Sequence, residues 1–347
     1  MNAQWKSFLE SQGAHFDSET GLVKDYGTAS IDPLLQTVIA DLSHLGVIRV
    51  EGADAMSFLQ GQTTNDMSKL DNEHAHLNGY CSPKGRLLAS FYIVARDNCY
   101  YILLERALLP ATLKRLRMFI MMSKVSMEDI SDAMVLTGLS GPESAAVLKP
   151  VTANLSSSDY GVTQTEAYTI LCLPRSQRYI ILSDVTKALE LWQTLATKTI
   201  KVGHQTWKLT DIRAAIPTIY EETIEAFVPQ MVNMQAIQGV SFKKGCYTGQ
   251  EVVARMQYLG KLKRRMYRAH VQTEQAVVPG MPIYAEGSSS GQGAGKVVDA
   301  QPSPQGGYEL LAVIEIASAE QGGLCLESEN GPLLSLNELP YSLEQAS

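Results

Sequence analysis

The sequence predicts an α+β protein with more than one domain, and three observations lead to this prediction. The chain has 347 residues, which is more than one hydrophobic core usually organises. Strand-like and helix-like segments alternate through its first two thirds. From about Tyr267 the helical periodicity ends, and ten of the 26 glycines fall between residues 280 and 331. That change of texture predicts a small β-barrel or sandwich at the C-terminal end.

The first α+β unit is predicted from segments that follow an N-terminal arm, which we expect to be irregular. Polar turn residues at 61–66 and a three-residue turn at 96–98 separate these segments. Pro110 fits the last helix because it falls in the first turn, where its missing N–H costs nothing. The predicted elements are a strand at 46–50, a helix at 53–60, hairpin strands at 87–95 and 99–104, and an amphipathic helix at 107–120.

A second unit is predicted to begin near Val135. Its clearest element is the helix at 185–196, whose apolar residues recur on one face. Strands are predicted before it, at 167–173 and 178–182. The C-terminal β domain is predicted from short apolar runs at 266–271, 296–298, 310–316 and 333–336.

Composition indicates an ordinary globular protein of a reducing compartment. The residues are 45% hydrophobic and 19% charged, and the five cysteines are scattered without disulfide or zinc spacing. We therefore expect a cytoplasmic protein with no resident metal. The N-terminal residues resemble no signal peptide, and no run of 18 apolar residues exists, so we expect no membrane partner.

The charge of the chain is unevenly distributed. The net charge is −7, but residues 243–268 carry eight basic residues and one acid, which leaves −14 for the remainder. This basic segment suits a local anionic partner, such as the carboxylates of a small ligand, a phosphate or an acidic protein face. A solvated helix face and loop is the alternative for its outer residues, 261–265.

The stretch 243–255 (KKGCYTGQEVVAR) carries the strongest chemical signal. We predict a strand at 239–242, an N-cap at Thr248 with Glu251 completing a capping box, and a helix beyond it. Cys246 would then lie two residues before a helix start, near Lys244, where amides and ammonium groups favour a thiolate. Gly245 and Gly249 would let the backbone turn tightly around the sulfur. The alternative is that Cys246 is one more buried, inert cysteine.

The motif KGCYTGQE at 244–251 resembles the signature of the YgfZ-type folate-binding proteins. These are relatives of the glycine-cleavage aminomethyltransferase that serve iron–sulfur protein maturation and, through it, some tRNA modifications. Further similar blocks lie at 50–66, 82–87, 123–125, 227–230 and 339–343, so the resemblance spans about residues 40–344. It implies a GcvT/YgfZ-like α+β ring of three domains around a folate cavity. Those domains are two ferredoxin-like units at 30–134 and 135–260 and a C-terminal β-barrel at 261–344.

The resemblance also implies a folate site, holding tetrahydrofolate or a derivative. Trp207 matches a cavity tryptophan of bacterial relatives, and we expect Tyr247, Gln250 and Glu251 of the motif to contribute to the same site. A second expected aromatic position falls at Leu45, a departure from the family. The aminomethyltransferases carry a catalytic Asp near the second block, whereas residues 83–88 (PKGRLL) contain no carboxylate.

The sequence and the resemblance leave three alternative functions. The first is a folate-binding accessory protein with Cys246 as reactive thiolate and Lys244 as its activator. Its partners would be iron–sulfur assembly or client proteins, and tRNA only indirectly. The second is a tetrahydrofolate-dependent one-carbon transferase of the aminomethyl type, which the missing carboxylate disfavours. The third is direct tRNA binding through the basic segment.

Overall fold

The computed structural model describes residues 1–27, 30–175, 177–258, 260, 262–285 and 293–343. Within these ranges the α-helices are α1 (Ala3–Ser11), α2 (Ala55–Gln60), α3 (Leu109–Arg117), α4 (Ser144–Val147), α5 (Val185–Leu195), α6 (His204–Arg213), α7 (Gln250–Tyr258) and α8 (Ile316–Gln321). The predicted helix at 185–196 is confirmed as α5, which Asp184 caps by accepting a hydrogen bond from the Lys187 amide.

The first nine strands of the described chain are β1 (His15–Phe16), β2 (Val23–Asp25), β3 (Val38–Asp41), β4 (Leu45–Glu51), β5 (His76–Cys81), β6 (Leu87–Arg96), β7 (Cys99–Glu105), β8 (Ser126–Asp129) and β9 (Met134–Ser140). They are followed by β10 (Val162–Gln164), β11 (Thr169–Leu173), β12 (Arg178–Asp184), β13 (Ile200–Val202), β14 (Arg264–Val271), β15 (Pro282–Tyr284), β16 (Gly295–Pro302), β17 (Tyr308–Glu315), β18 (Cys325–Leu326) and β19 (Leu334–Asn337). The hairpin predicted around residues 96–98 is confirmed by the antiparallel pairing of β6 with β7.

The chain folds into two compact units that interleave along the sequence. The first unit comprises Met1–Phe58, Met67–His76 and Phe91–Thr210, and the second comprises Leu59–Asp66, Leu77–Ser90 and Asp211–Ser347. The division into three domains at 30–134, 135–260 and 261–344 stays a prediction.

The first unit contains a six-stranded sheet in the order β10–β11–β12–β9–β3–β13. Its pairs are antiparallel except β13 with β3, which run parallel. Helices α1 and α5 cover this sheet with a buried core in which the Trp5 and Trp192 rings meet edge to face at 5.5 Å. The expectation of an irregular N-terminal arm is therefore wrong, because α1 places Trp5 in the core and its indole donates to Asp41 over 2.7 Å.

The second unit contains an antiparallel six-stranded sheet in the order β18–β15–β16–β17–β14–β19. Its long strands β14, β16 and β17 pair over most of their length, and their inward side chains form one apolar core. The β character predicted for the glycine-rich C-terminal region is confirmed. The segment 291–296 (GQGAGK), whose glycines predict a hairpin turn, lies partly outside the described residues.

Candidate functional site

Three stretches of the second unit meet around the KGCYTGQE motif. They are residues 59–66, the turn at 82–87 and the motif itself with helix α7. Lys244 connects the motif to residues 59–66, and Gly249 connects it to the turn at 82–87. Two of the sequence blocks that resemble the YgfZ-type proteins are thereby joined to the signature motif.

Lys244 joins the motif to residues 60–65. Its side chain is buried, and its Nζ donates to the backbone oxygens of Gln60 at 2.7 Å, Thr63 at 2.5 Å and Asn65 at 2.7 Å. These bonds use all three N–H groups of the ammonium. Burial lowers the pKa of Lys244 to about 8, against which the nearby Asp66 carboxylate acts weakly. The hydrogen bonds support a positioning role for Lys244, while the predicted activation of Cys246 stays a prediction.

Gly249 joins the motif to the turn at 82–87. Its φ is +84°, a conformation that favours glycine, and an added Cβ would lie 2.4 Å from the Ser82 oxygen. The same Cβ would lie 2.9 Å from the Cα of Gly85, whose own φ is +69°. Two glycine backbones are therefore in direct contact. Gly245, by contrast, has open space around its Cα and no positive φ, so the geometry does not require a glycine there.

The local structure around the motif differs from the prediction in two places. Helix α7 begins at Gln250, so Thr248 is not its N-cap, because the left-handed Gly249 intervenes. The strand predicted at 239–242 is also absent. A 3₁₀ turn at Met234–Ile237 ends there with Gln238 at φ +58°, and the Gly239 amide donates back to the Met234 oxygen over 2.7 Å.

Cys246 lies on the loop that these contacts hold. Cys246 lies three residues before Gly249, the residue that precedes α7, rather than two residues before a cap at Thr248, which places it further from the helix N-terminus than predicted. All five cysteines lie in the described residues; all are unpaired, and Cys246 is the only one that is exposed. Burial raises the pKa of the Cys81 thiol to about 12 and that of Cys172 to about 11. Cys246 is therefore the cysteine most open to a partner or ligand, and its buried alternative is wrong.

The other motif side chains occupy different environments. Tyr247 is buried, with its ring 5.1 Å from the Lys244 ammonium, and burial raises the pKa of its phenol. Gln250 is half-buried, and its amide donates to the Lys244 oxygen at 3.4 Å. Glu251 is exposed and pairs with Arg255 at 2.8 Å, one turn further along α7.

Trp207 lies on α6 in the first unit, whereas the motif lies in the second. Its side chain is 1% exposed. Its six-membered ring packs so closely on Gly138 that an added Cβ there would lie 2.6 Å from Cε3. In this packing the ring is part of the core. Leu45 begins strand β4 of the same unit and is half-buried. The expected folate contact of Trp207 stays a prediction, and it would require the ring to leave these neighbours.

Much of the basic segment is neutralised or buried. Arg255 pairs with Glu251, Arg264 pairs with Glu315 at 2.8 Å, and the Lys244 ammonium faces three carbonyls. Lys261 lies outside the described residues. The free positive charge is therefore smaller than the count from the sequence.

The side chains of Thr64 and Asn65 also hold the site together, and the sequence motifs did not predict this role. The Thr64 hydroxyl donates to the Gly239 oxygen at 2.6 Å, and the Asn65 amide donates to the Gln238 oxygen at 2.6 Å. The signal available in the sequence was only a polar turn, because the partners lie over 170 positions away.

No group of three metal-ligating side chains occurs in the described part of the chain. Nor does any helix of that part have the length and apolar character needed to cross a bilayer.

Comparison with known proteins gives consistent matches over nearly the whole chain. The GCVT N-terminal domain family matches residues 35–174. The tRNA-modifying protein YgfZ of Yersinia enterocolitica is 31% identical over 313 residues, covering 90% of this chain and 94% of that protein. The tRNA-modifying protein YgfZ of Colwellia psychrerythraea is 30% identical, covering 90% and 96%. Among solved structures, the glycine cleavage system aminomethyltransferase T from Bartonella henselae matches with a TM-score of 0.72 and 17% identity, covering 96% of each chain, which shows a shared fold.

Proposed function

Because this chain belongs to the family of the tRNA-modifying protein YgfZ, we propose that it is a folate-binding accessory protein of the cytoplasm. Its task is to support the assembly or repair of iron–sulfur proteins, and tRNA modification depends on it through those proteins. The observation that carries the proposal is the exposed Cys246 on a loop that Lys244 and Gly249 hold in place.

The chemistry of Cys246 fits transient contact better than stable cluster binding. Iron–sulfur clusters usually need about four protein ligands, and Cys246 is a single exposed sulfur. A partner protein or a small thiol would have to supply the remaining ligands. The sulfur would therefore act in redox protection, in transient sulfur handling or in docking to a cluster-carrying protein.

The side chains around the motif fit part of a folate. Lys243 is an exposed cation that suits the anionic glutamate tail, whereas Arg255 and Glu251 are exposed but already pair with each other at 2.8 Å. Bound tetrahydrofolate would supply one-carbon or redox chemistry. Trp207 and Tyr247 are buried among protein atoms and present no open ring face for stacking, so the fit of the pterin ring rests on the family relationship.

Replacing Cys246 by Ala in cells tests the proposal, with Cys325→Ala as the control because Cys325 is a partly exposed cysteine of the C-terminal sheet. The readout is methylthiolation of tRNA by a cluster-dependent methylthiotransferase, together with folding and tetrahydrofolate binding of the purified variants. We expect Cys246→Ala to fold and bind folate normally but to lose methylthiolation. Unchanged methylthiolation would reduce the motif to a structural role.

A tetrahydrofolate-dependent one-carbon transferase is the second candidate, favoured by the fold shared with an aminomethyltransferase. The turn at 82–87 counts against it, because it packs on Gly249 and carries no carboxylate to stabilise charge at a transfer centre. Turnover of methylated amines by the purified protein with tetrahydrofolate would establish this activity. Direct tRNA binding is disfavoured by the ion pairs of the basic segment.

A further inference from the structure

A loop at Met118–Met122, directly after α3 in the first unit, exposes an unusual amount of apolar surface. Met118 is 65% exposed, Phe119 42%, Met121 90% and Met122 96%. Single exposed apolar side chains are common, but contiguous ones mark interaction sites. The described chain leaves Met121 and Met122 almost uncovered and covers Met118 and Phe119 only in part, although hydrophobic residues nearby in sequence, such as Leu116, are buried.

The Met118–Met122 loop is held at both ends. Its first residues continue the turns of α3, with the Phe119 amide donating to the Leu116 oxygen at 3.0 Å. Beyond it, the Lys124 amide donates to the Asp54 carboxylate at 2.7 Å. Met121 adopts φ +36°, which costs a residue with a side chain more than glycine. The anchored ends and this left-handed turn hold the methionines outward.

Cations flank the exposed methionines. Residues 114–124 contain four basic residues and no acid, so this segment carries +4 while the rest of the chain carries −11. Lys114, Arg117 and Lys124 are all exposed. Arg117 also donates to the Met127 oxygen, whereas no carboxylate of the segment neutralises the lysines. The surface therefore combines an apolar tip with a cationic base.

We propose that the Met118–Met122 loop docks on a client protein, into an apolar groove whose rim carries carboxylates. This inference rests on the proposed function and names the surface that recognises its partners. Methionine is unbranched and polarisable, so a methionine tip adapts to several differently shaped grooves, as an accessory factor with several clients requires. The carboxylate rim is the complement of Lys114, Arg117 and Lys124, and such complementarity speeds association.

Two other occupants fit the loop less well. An anionic bilayer is repelled by the net charge of −7 of the chain, whereas a protein groove is selected by charges close to the loop, because exposed charges are screened beyond a Debye length of about 8 Å. A nucleic acid would use the cations and leave the apolar tip without a partner. A groove with an acidic rim uses both features.

The test measures binding of the full-length protein to a purified cluster-dependent tRNA methylthiotransferase. The variant Met121→Ser/Met122→Ser removes the apolar tip, and Lys114→Glu/Lys124→Glu reverses two cations. The matched control is Leu34→Ser/Leu35→Ser, which changes an exposed apolar pair of the same unit, 57% and 77% exposed. We expect each loop variant to weaken binding at least tenfold, the charge variant to flatten the salt dependence of Kd, and the control to stay within twofold.

Equal binding by the loop variants and the wild type would overturn the proposal, as would absence of wild-type binding. Binding of the wild type to 7:3 phosphatidylcholine–phosphatidylglycerol vesicles or to tRNA, lost in the same variants, would assign the loop to those partners instead and overturn it too. Cys246→Ala separates this inference from the proposed function. That variant should bind normally while failing in cells; if it succeeds in cells, the proposed function fails whatever the loop binds.

Discussion

The contact between Gly249 and the turn at 82–87 makes a sharp prediction about the motif. Alanine at 249 would have to keep φ near +84° or break the turn before α7. Its Cβ would also meet the Ser82 oxygen at 2.4 Å and the Gly85 Cα at 2.9 Å. Both are backbone atoms, so no side-chain rotation relieves the clash. Alanine at 245 meets nothing within 4 Å and has no positive φ to keep.

The expected magnitudes differ accordingly. A left-handed alanine costs roughly 1–2 kcal/mol, and overpacking against fixed atoms adds roughly 1–3 kcal/mol. Gly249→Ala should therefore lower the free energy of unfolding by about 2–5 kcal/mol. Gly245→Ala should leave it unchanged or raise it by up to about 1 kcal/mol, because alanine restricts the unfolded chain.

Urea unfolding followed by far-UV circular dichroism measures both variants. Tryptophan fluorescence is less suitable, because Trp5, Trp192 and Trp207 all lie in the first unit and Gly249 lies in the second. Equal stability of the two variants, or a loss below about 1 kcal/mol for Gly249→Ala, would refute the packing argument.

Three further predictions use the same unfolding assay. Lys244→Met should lower the free energy of unfolding by about 2–4 kcal/mol, because the carbonyls of residues 60, 63 and 65 lose their donor; a neutral result would contradict the role of that ammonium. The pKa of Lys244 falls from 10.5 to about 8 on folding, so between these pH values the unfolded chain binds more protons than the folded chain. The free energy of unfolding of the wild type, relative to that of Lys244→Met, should therefore rise from pH 8 to pH 10.5. A difference that does not change with pH would exclude the shift. Gly138→Ala should cost about 1–3 kcal/mol and change the emission of Trp207, whose ring leaves no space for a methyl group, whereas unchanged emission would argue against that packing.

Sequence patterns predicted the elements whose apolar periodicity is local. Helix α5 and the β6–β7 hairpin were found because their alternation is complete within a few residues. Helix α3 was predicted too long, at 107–120, because the apolar residues beyond Arg117 continue the pattern but are exposed on the loop.

Elements whose partners lie far along the chain were not found. Helix α6 was not predicted, because it is buried on several sides and shows no single apolar face. Its polar residues bind groups far away in the sequence, as Lys208 forms an ion pair with Glu105 at 3.2 Å. For the site, the roles predicted for the motif residues stay predictions, and their closeness to α7 follows from their sequence positions alone. The roles of Gly249 and Lys244 depend on contacts with Gly85 and with residues 60–65, which no local pattern encodes.

The interleaving of the second unit has a consequence for biosynthesis. Residues 59–66 leave the ribosome about 180 positions before Lys244, the cation that fastens them. At 5–20 residues per second, this interval is roughly 10–35 s. During that time the Gln60, Thr63 and Asn65 carbonyls lack the hydrogen bonds from Lys244. In a nascent chain stopped before the motif, residues 60–65 are therefore not yet joined to it. The cysteine-bearing site is thus a late product of translation, and no contiguous fragment that lacks any part of residues 60–249 reproduces it.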